Sequence, residues 1–238
     1  MNDNGVEARK ELDVLEAIAT TRAIRRFRPD PIPEADLATI MFAASRAPSG
    51  SNRQLFRFVL LRDDETSRQA KALIGGVARA VWAQKRAHDG YDRGSGNDDS
   101  SPKARTAAAM EHFVEHYEDI PVNVLACLIR HRAPTPNEGA SVYPACQNLL
   151  LAARALGYGG VMTGWHAGVE DELRSLLRVP TGVAISACIP LGRPVGGHGP
   201  VRRRPLRELV YDGGWEQPAP WAVDPPGTRF AQAGPPRS

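Results

Sequence analysis

The stretch AASRAPSGSNRQLFRF, residues 43–58, closes an apolar helical pattern, passes through a run of small residues and enters a strand pattern. Pro48 ends the helix, and the short side chains of Ser49, Gly50 and Ser51 let a flat ligand come close to backbone amides. Asn52 and Gln54 add the amide donors and acceptors that a heteroaromatic ring edge needs. Pro, Ser, Gly and Asn also make ordinary helix-to-strand turns, so the stretch alone fits either use.

Working outward, Leu37, Ile40, Met41 and Ala44 share one face of a helix over 34–45. Upstream, Leu12, Leu15, Ile18 and Ala19 predict an amphipathic helix over 11–20, which runs into TTRAIRRFRPDPIP and is stopped by three prolines. Downstream come a short buried strand over 58–61, a polar turn and a helix carrying Ala70, Leu73, Ile74, Val77 and Val81. Residues 85–105, rich in Gly, Ser, Asp and charge, predict an exposed mobile loop. A weaker helix over 107–118 follows, and then PVNVLACLI, residues 121–129, a strand apolar enough to be covered on both faces. The helix over 141–156 is apolar nearly all round and stops at Gly157. Glu170, Asp171 and Glu172 open another helix, closed at Pro180, before a core strand over 183–191 and a further strand near Leu206. Helices dominate and strands are few, which predicts an α+β fold with a small central sheet. One domain is expected over 1–216, followed by a Pro/Gly-rich tail over 217–238.

Composition narrows the function classes. A chain of 238 residues with 42% hydrophobic content buries a real core. The net charge is only +3, and its arginines gather at 22–28 and 202–207, which suits a compact anion better than a nucleic-acid surface. Cys127, Cys146 and Cys188 lie in apolar runs without metal spacing and read as core packing in a reducing compartment. No membrane-length apolar run or signal peptide is evident, so a cytoplasmic location is expected. Gly157, Gly159 and Gly160 follow a helix, the wrong context for a dinucleotide fingerprint. The six histidines form no metal ligand set; His112 and His116 are expected on a solvated helix face rather than at a zinc ion. Ser49 and Ser51 have no histidine or acid nearby in sequence to make a nucleophile.

The runs TTRAIRRF, APSGSNRQLFRF, NLLLAARALGYGG and VRRRPLREL, in this order over residues 14–215, together resemble the FMN-dependent nitroreductase family. The resemblance implies an intertwined α+β homodimer with a mainly antiparallel sheet flanked by helices. Two FMN molecules would lie at the interface, each contacted by both chains. Arg22 and Arg25 match the family's first motif, with Arg26 beside them, while Thr21 and Ala23 stand where arginine and serine are usual. Arg202 and Arg204 match its C-terminal basic pair. Pro48, Ser49, Ser51, Asn52 and Gln54 fall on its ring-contacting loop, and Gly159 and Gly160 on a turn whose amide faces flavin N5.

The implied activity is ping-pong hydride transfer from NADH or NADPH through the flavin to a nitroaromatic or quinone-like acceptor. No protein acid, base or nucleophile is required. Residues 85–105 would be a lid whose Tyr91, with the preceding Trp82, stacks on substrate. The tail with Trp215, Trp221 and Phe230 would lie on the partner subunit. The same resemblance admits a dehalogenase, a flavin-cleaving enzyme, a flavin binder without turnover or a deazaflavin reductase; the flavin-cleaving relatives carry aspartate where this chain has Ala23.

Overall fold

The computed structural model describes residues 12–230. Six α-helices are present among them: α1 Val14–Thr20, α2 Glu34–Ser45, α3 Glu65–His88, α4 Pro102–Glu115, α5 Tyr143–Ala155 and α6 Glu170–Leu177. Three of them begin at a side-chain cap. Asp13 accepts from the N–H of Leu15 and Glu16 at 2.8 and 3.2 Å, Asp64 from that of Ser67 at 2.9 Å and Ser101 from that of Ala104 at 3.0 Å. Each oxygen satisfies a first-turn donor that has no partner inside its helix.

Four strands, β1 Phe56–Leu61, β2 Val122–Ile129, β3 Gly159–Gly160 and β4 Val183–Gly192, form one sheet in the order β1-β2-β4-β3. Every neighbouring pair is antiparallel. Helices cover both faces, which is why β2 reads as an unbroken apolar run. Val124 and Ala126 join Ile40 and Leu149 beneath α2 and α5, while Leu125 and Cys127 join Ile74, Phe113 and Leu173 beneath α3, α4 and α6. Each large aliphatic side chain buried this way contributes roughly 1.5–3 kcal/mol.

The α+β expectation and the core strands hold, and Gly157 is the left-handed stop after α5, with φ 82°. Other readings change. α1 starts at Val14 and buries only Ala17, leaving Leu15 and Ile18 exposed; the start of that predicted helix, Glu11, lies outside the described residues. Leu206–Glu208 is a 3-10 turn rather than a strand, and α6 ends at left-handed Arg178, two residues before Pro180.

The predicted loop over 85–105 is shorter than expected, because helix takes both of its ends. α3 continues through His88 and α4 begins at Pro102, so the connection spans 89–101 and carries a 3-10 turn at Gly94–Asn97. Its charges pair: Lys85 with Asp89 at 2.5 Å, and Arg86 with both Asp92 and Glu111 at 2.9 and 2.8 Å. Trp82 is buried, donates from Nε1 to Glu111 at 2.6 Å and packs its ring against Tyr91. It is a packing residue, not one free to stack on a substrate.

Residues 217–230 fold back on their own chain. Trp221 Nε1 donates to Asp212 at 2.8 Å, the Leu206 N–H donates to Asp224, and Phe230 bridges to Arg203. The rest of the tail, 231–238, lies outside the described residues.

Candidate cofactor site

Residues 22–28 run extended beside the β3 edge of the sheet. The Ile24 N–H donates to the Gly160 carbonyl at 3.1 Å, the Arg28 N–H to Arg193 at 2.8 Å, and the Val195 N–H to Arg26 at 3.1 Å. Residues 197–201 return alongside: Gly199 and Val201 donate to Thr20 and Ala19, and the Arg22 guanidinium donates to the Gly197 carbonyl at 2.7 Å. The two arginine-rich segments, 175 residues apart at that last bond, thereby become neighbours. Arg26 and Arg202 are exposed at this corner, and Arg204 pairs with Glu208 at 3.3 Å.

Close approach, rather than a turn, demands glycine at this edge. A Cβ on Gly159 would lie 2.4 Å from Ile24 Cγ1 and 3.0 Å from His198 Nε2, and one on Gly160 would lie 2.6 Å from the Pro190 carbonyl oxygen. His198 stitches the corner together. Its Nε2 lies 3.0 Å from the Tyr158 carbonyl oxygen, which requires the proton there, and Nδ1 then accepts from the Arg22 N–H at 3.5 Å. Burial holds this imidazole below the usual histidine pKa.

A cavity of about 420 Å³ opens beside Arg25, lined also by Phe27, His112, Phe113, His116 and Asp119. That volume suits a small-molecule site. Burial depresses the Arg25 guanidinium's pKa, the mark of a partly desolvated cation. His112 and His116 stack with ring centres 4.4 Å apart, and His116 Nδ1 lies 3.1 Å from Asp119. His116 is exposed, as expected of a solvated helix face, while His112 is half-buried; both line the cavity where α4 packs Phe113 against Phe27. Their i,i+4 spacing was the available signal.

The loop Pro48 to Gln54 is strained. Ser51, Asn52 and Gln54 all take left-handed backbone angles, with φ 52°, 51° and 50°. Such conformations cost non-glycine residues on the order of 1 kcal/mol or more each and gather at functional sites. The Ser49 hydroxyl braces the loop by accepting from the Gln54 N–H at 2.9 Å. Ser49 and Ser51 line a second cavity of about 140 Å³ with His131, Arg132 and Ser141.

The two halves of the expected site do not meet within one chain. The loop feeds Phe56, which aligns through Leu128 with Ala184, whereas Gly160 aligns through Leu191 with Val122. Three strand spacings across the sheet and six residues along β2 separate these diagonal corners, roughly 25 Å in total. Elsewhere, burial raises Cys127 and Cys146 to about 11 and Cys188 to about 12, so all three are packing thiols rather than nucleophiles.

A small antiparallel sheet covered on both faces, with an arginine-lined corner at one edge, defines a nitroreductase-like α+β protein. The chain belongs to the Nitroreductase family, whose sequence model matches residues 18–193. It is 30% identical over 216 residues to an NADH dehydrogenase of Thermus thermophilus, covering 84% of this chain and 95% of that one. It is 28% identical over 208 residues to 5,6-dimethylbenzimidazole synthase of Rhodospirillum rubrum, covering 85% and 88% of the two chains. A Desulfovibrio desulfuricans protein solved in complex with FMN superposes with a TM-score of 0.60 at 25% identity, covering 87% of this chain and 99% of that one.

Proposed function

We propose that this chain is an FMN-dependent NAD(P)H oxidoreductase that reduces nitroaromatic or quinone-like acceptors by ping-pong exchange of hydride. The observation that carries the reading is the corner where the Arg22–Arg25 segment joins β3 through Ile24 and Gly160 while Arg25 lines the 420 Å³ cavity. The residues fit the group. A partly desolvated guanidinium and an unpartnered buried imidazole nitrogen on His112, at one cavity wall, together suit a flat, polar, anionic ligand. Bound FMN would supply the hydride chemistry.

The chain's own task is to hold and expose the ring. Arg22, Arg25, Arg26, Arg202 and Arg204 supply positive charge, and the Gly159–Gly160 backbone a flat contact. Pro48, Ser49, Ser51, Asn52 and Gln54 stand too far from that corner to touch the same ligand. A second copy related by a two-fold axis would bring its loop there, making two equivalent sites in a homodimer. Exposed Val14 and Leu15 on α1 and Phe42 on α2 support such an interface. The buried free thiols suit the reducing cytoplasm.

An absorbance spectrum of the purified protein, with the heat-released ligand identified by mass, tests the reading. Flavin absorption, roughly one FMN per chain and oxidation of NADH or NADPH with a quinone or nitro compound are expected. A colourless protein that takes up no added FMN overturns it.

A further inference from the structure

The cavity beside Arg25 contains a polar cluster that the arginine pattern does not explain. Part of its lining is apolar, from Phe27, Pro29, Phe113 and Ile120; the rest is Arg25, His112, His116 and Asp119. His112 Nδ1 is buried and has no hydrogen-bond partner among the described residues. Buried polar atoms in native proteins are almost always satisfied, so this one calls for a ligand or a water.

We propose that this cavity receives the polar ring end of the flavin and that His112 takes up a proton when the flavin is reduced. The inference rests on the flavin reading above and deepens it. The polar edge of a flavin offers both donors and acceptors, the partners that a guanidinium and two imidazoles can use. Two electrons and one proton from the donor leave the reduced flavin with a negative charge, and a second proton, from solvent, is placed on His112. Arg25 gives the site a permanent positive charge; His112 gives it a conditional one.

The surroundings of His112 set the direction. Burial is the largest influence and disfavours its charged form, the neighbouring His116 and Arg26 add to that, and its own backbone and Glu115 oppose it. Asp119 is engaged by His116 at 3.1 Å. His112 is therefore neutral at pH 7 before reduction, and new negative charge in the cavity raises its pKa. Between the two values reduction takes up two protons per two electrons; above that window it takes up one.

The test uses the FMN-loaded protein and measures midpoint potential and FMN affinity from about pH 5.5 to 8.5. The wild type is expected to show the two-proton window. His112→Asn, which keeps an amide donor without titrating, should bind FMN within about threefold of wild type yet lose the window, and His112→Leu should weaken FMN binding about tenfold. An unchanged proton count in His112→Asn overturns the proposal, as does wild-type FMN affinity in His112→Leu. So does a third result: unaltered FMN binding and potential with a raised KM for 4-nitrobenzoate but not nitrobenzene, which would make the cavity an acceptor subsite. The wild-type pH series stands even if a variant fails to fold. A wild type that binds no FMN overturns the proposed function itself, whereas FMN binding with a constant proton count overturns this inference alone.

Discussion

His166 is buried between α6 and β4, with Nε2 2.7 Å from the Ile185 carbonyl oxygen and Nδ1 unpartnered. Burial lowers its pKa, as it does for His112 and His198. Because the folded-state values lie below the unfolded value of about 6.5, the unfolded chain binds more protons as the medium acidifies. Stability is full above that value and falls as pH drops from it through the folded-state values. A lower melting temperature at pH 5.5 than at pH 7.5 is expected, and His166→Phe should reduce the difference while costing roughly 1–2 kcal/mol at the higher pH through the stranded Ile185 carbonyl. Thermal melts at the two pH values check both. Arg22 and Arg25 stood out in the sequence as expected site residues because a local motif carries them. His198 was not, because its partners Tyr158 and Arg22 lie 40 and 176 positions away.

At the scale of elements, β3 is only two residues long, yet it joins the arginine segment to the sheet. Gly160→Ala would drive a methyl group against the Pro190 carbonyl oxygen, a backbone atom that cannot rotate away. A loss of about 1–3 kcal/mol is expected from this overpacking, together with weaker FMN uptake. Chemical denaturation and flavin titration of the variant measure the two effects separately; unchanged values in both would show that the edge yields freely. The α3 to α4 connection teaches a different lesson. Its polar composition reads as loop, but salt bridges across one helical turn and beyond it hold the end of α3. The Ser101 cap followed by Pro102 was the local sign of where α4 begins.

For the whole molecule, the diagonal separation of the Pro48 loop from the Gly160 corner makes association the central expectation. Phe42 is 65% exposed on α2, a large apolar side chain on the face that α2 presents away from the core. Phe42→Asp is expected to shift the protein from dimer to monomer and to lower FMN content with it, measured by sedimentation and by released flavin. A stable FMN-bound monomer would count against a shared site. Residues 217–230 already pack on their own chain, so a truncation at Gln217 should cost local stability more than association.

The sequence by itself determined the α+β class, the core strands and the family motifs, because these rest on local periodicity, small-residue loops and arginines close together along the chain. It also named both halves of the expected cofactor site, for the same reason. Only the tertiary structure decided where those halves stand. Strand order and register place the Pro48 loop and the Gly159–Gly160 edge at opposite corners. The packing of α4 against Phe27 makes the histidine pair on that helix face part of a cavity wall. Both outcomes depend on contacts between residues far apart in the chain, and local pattern contains no information about which distant face a side chain will meet.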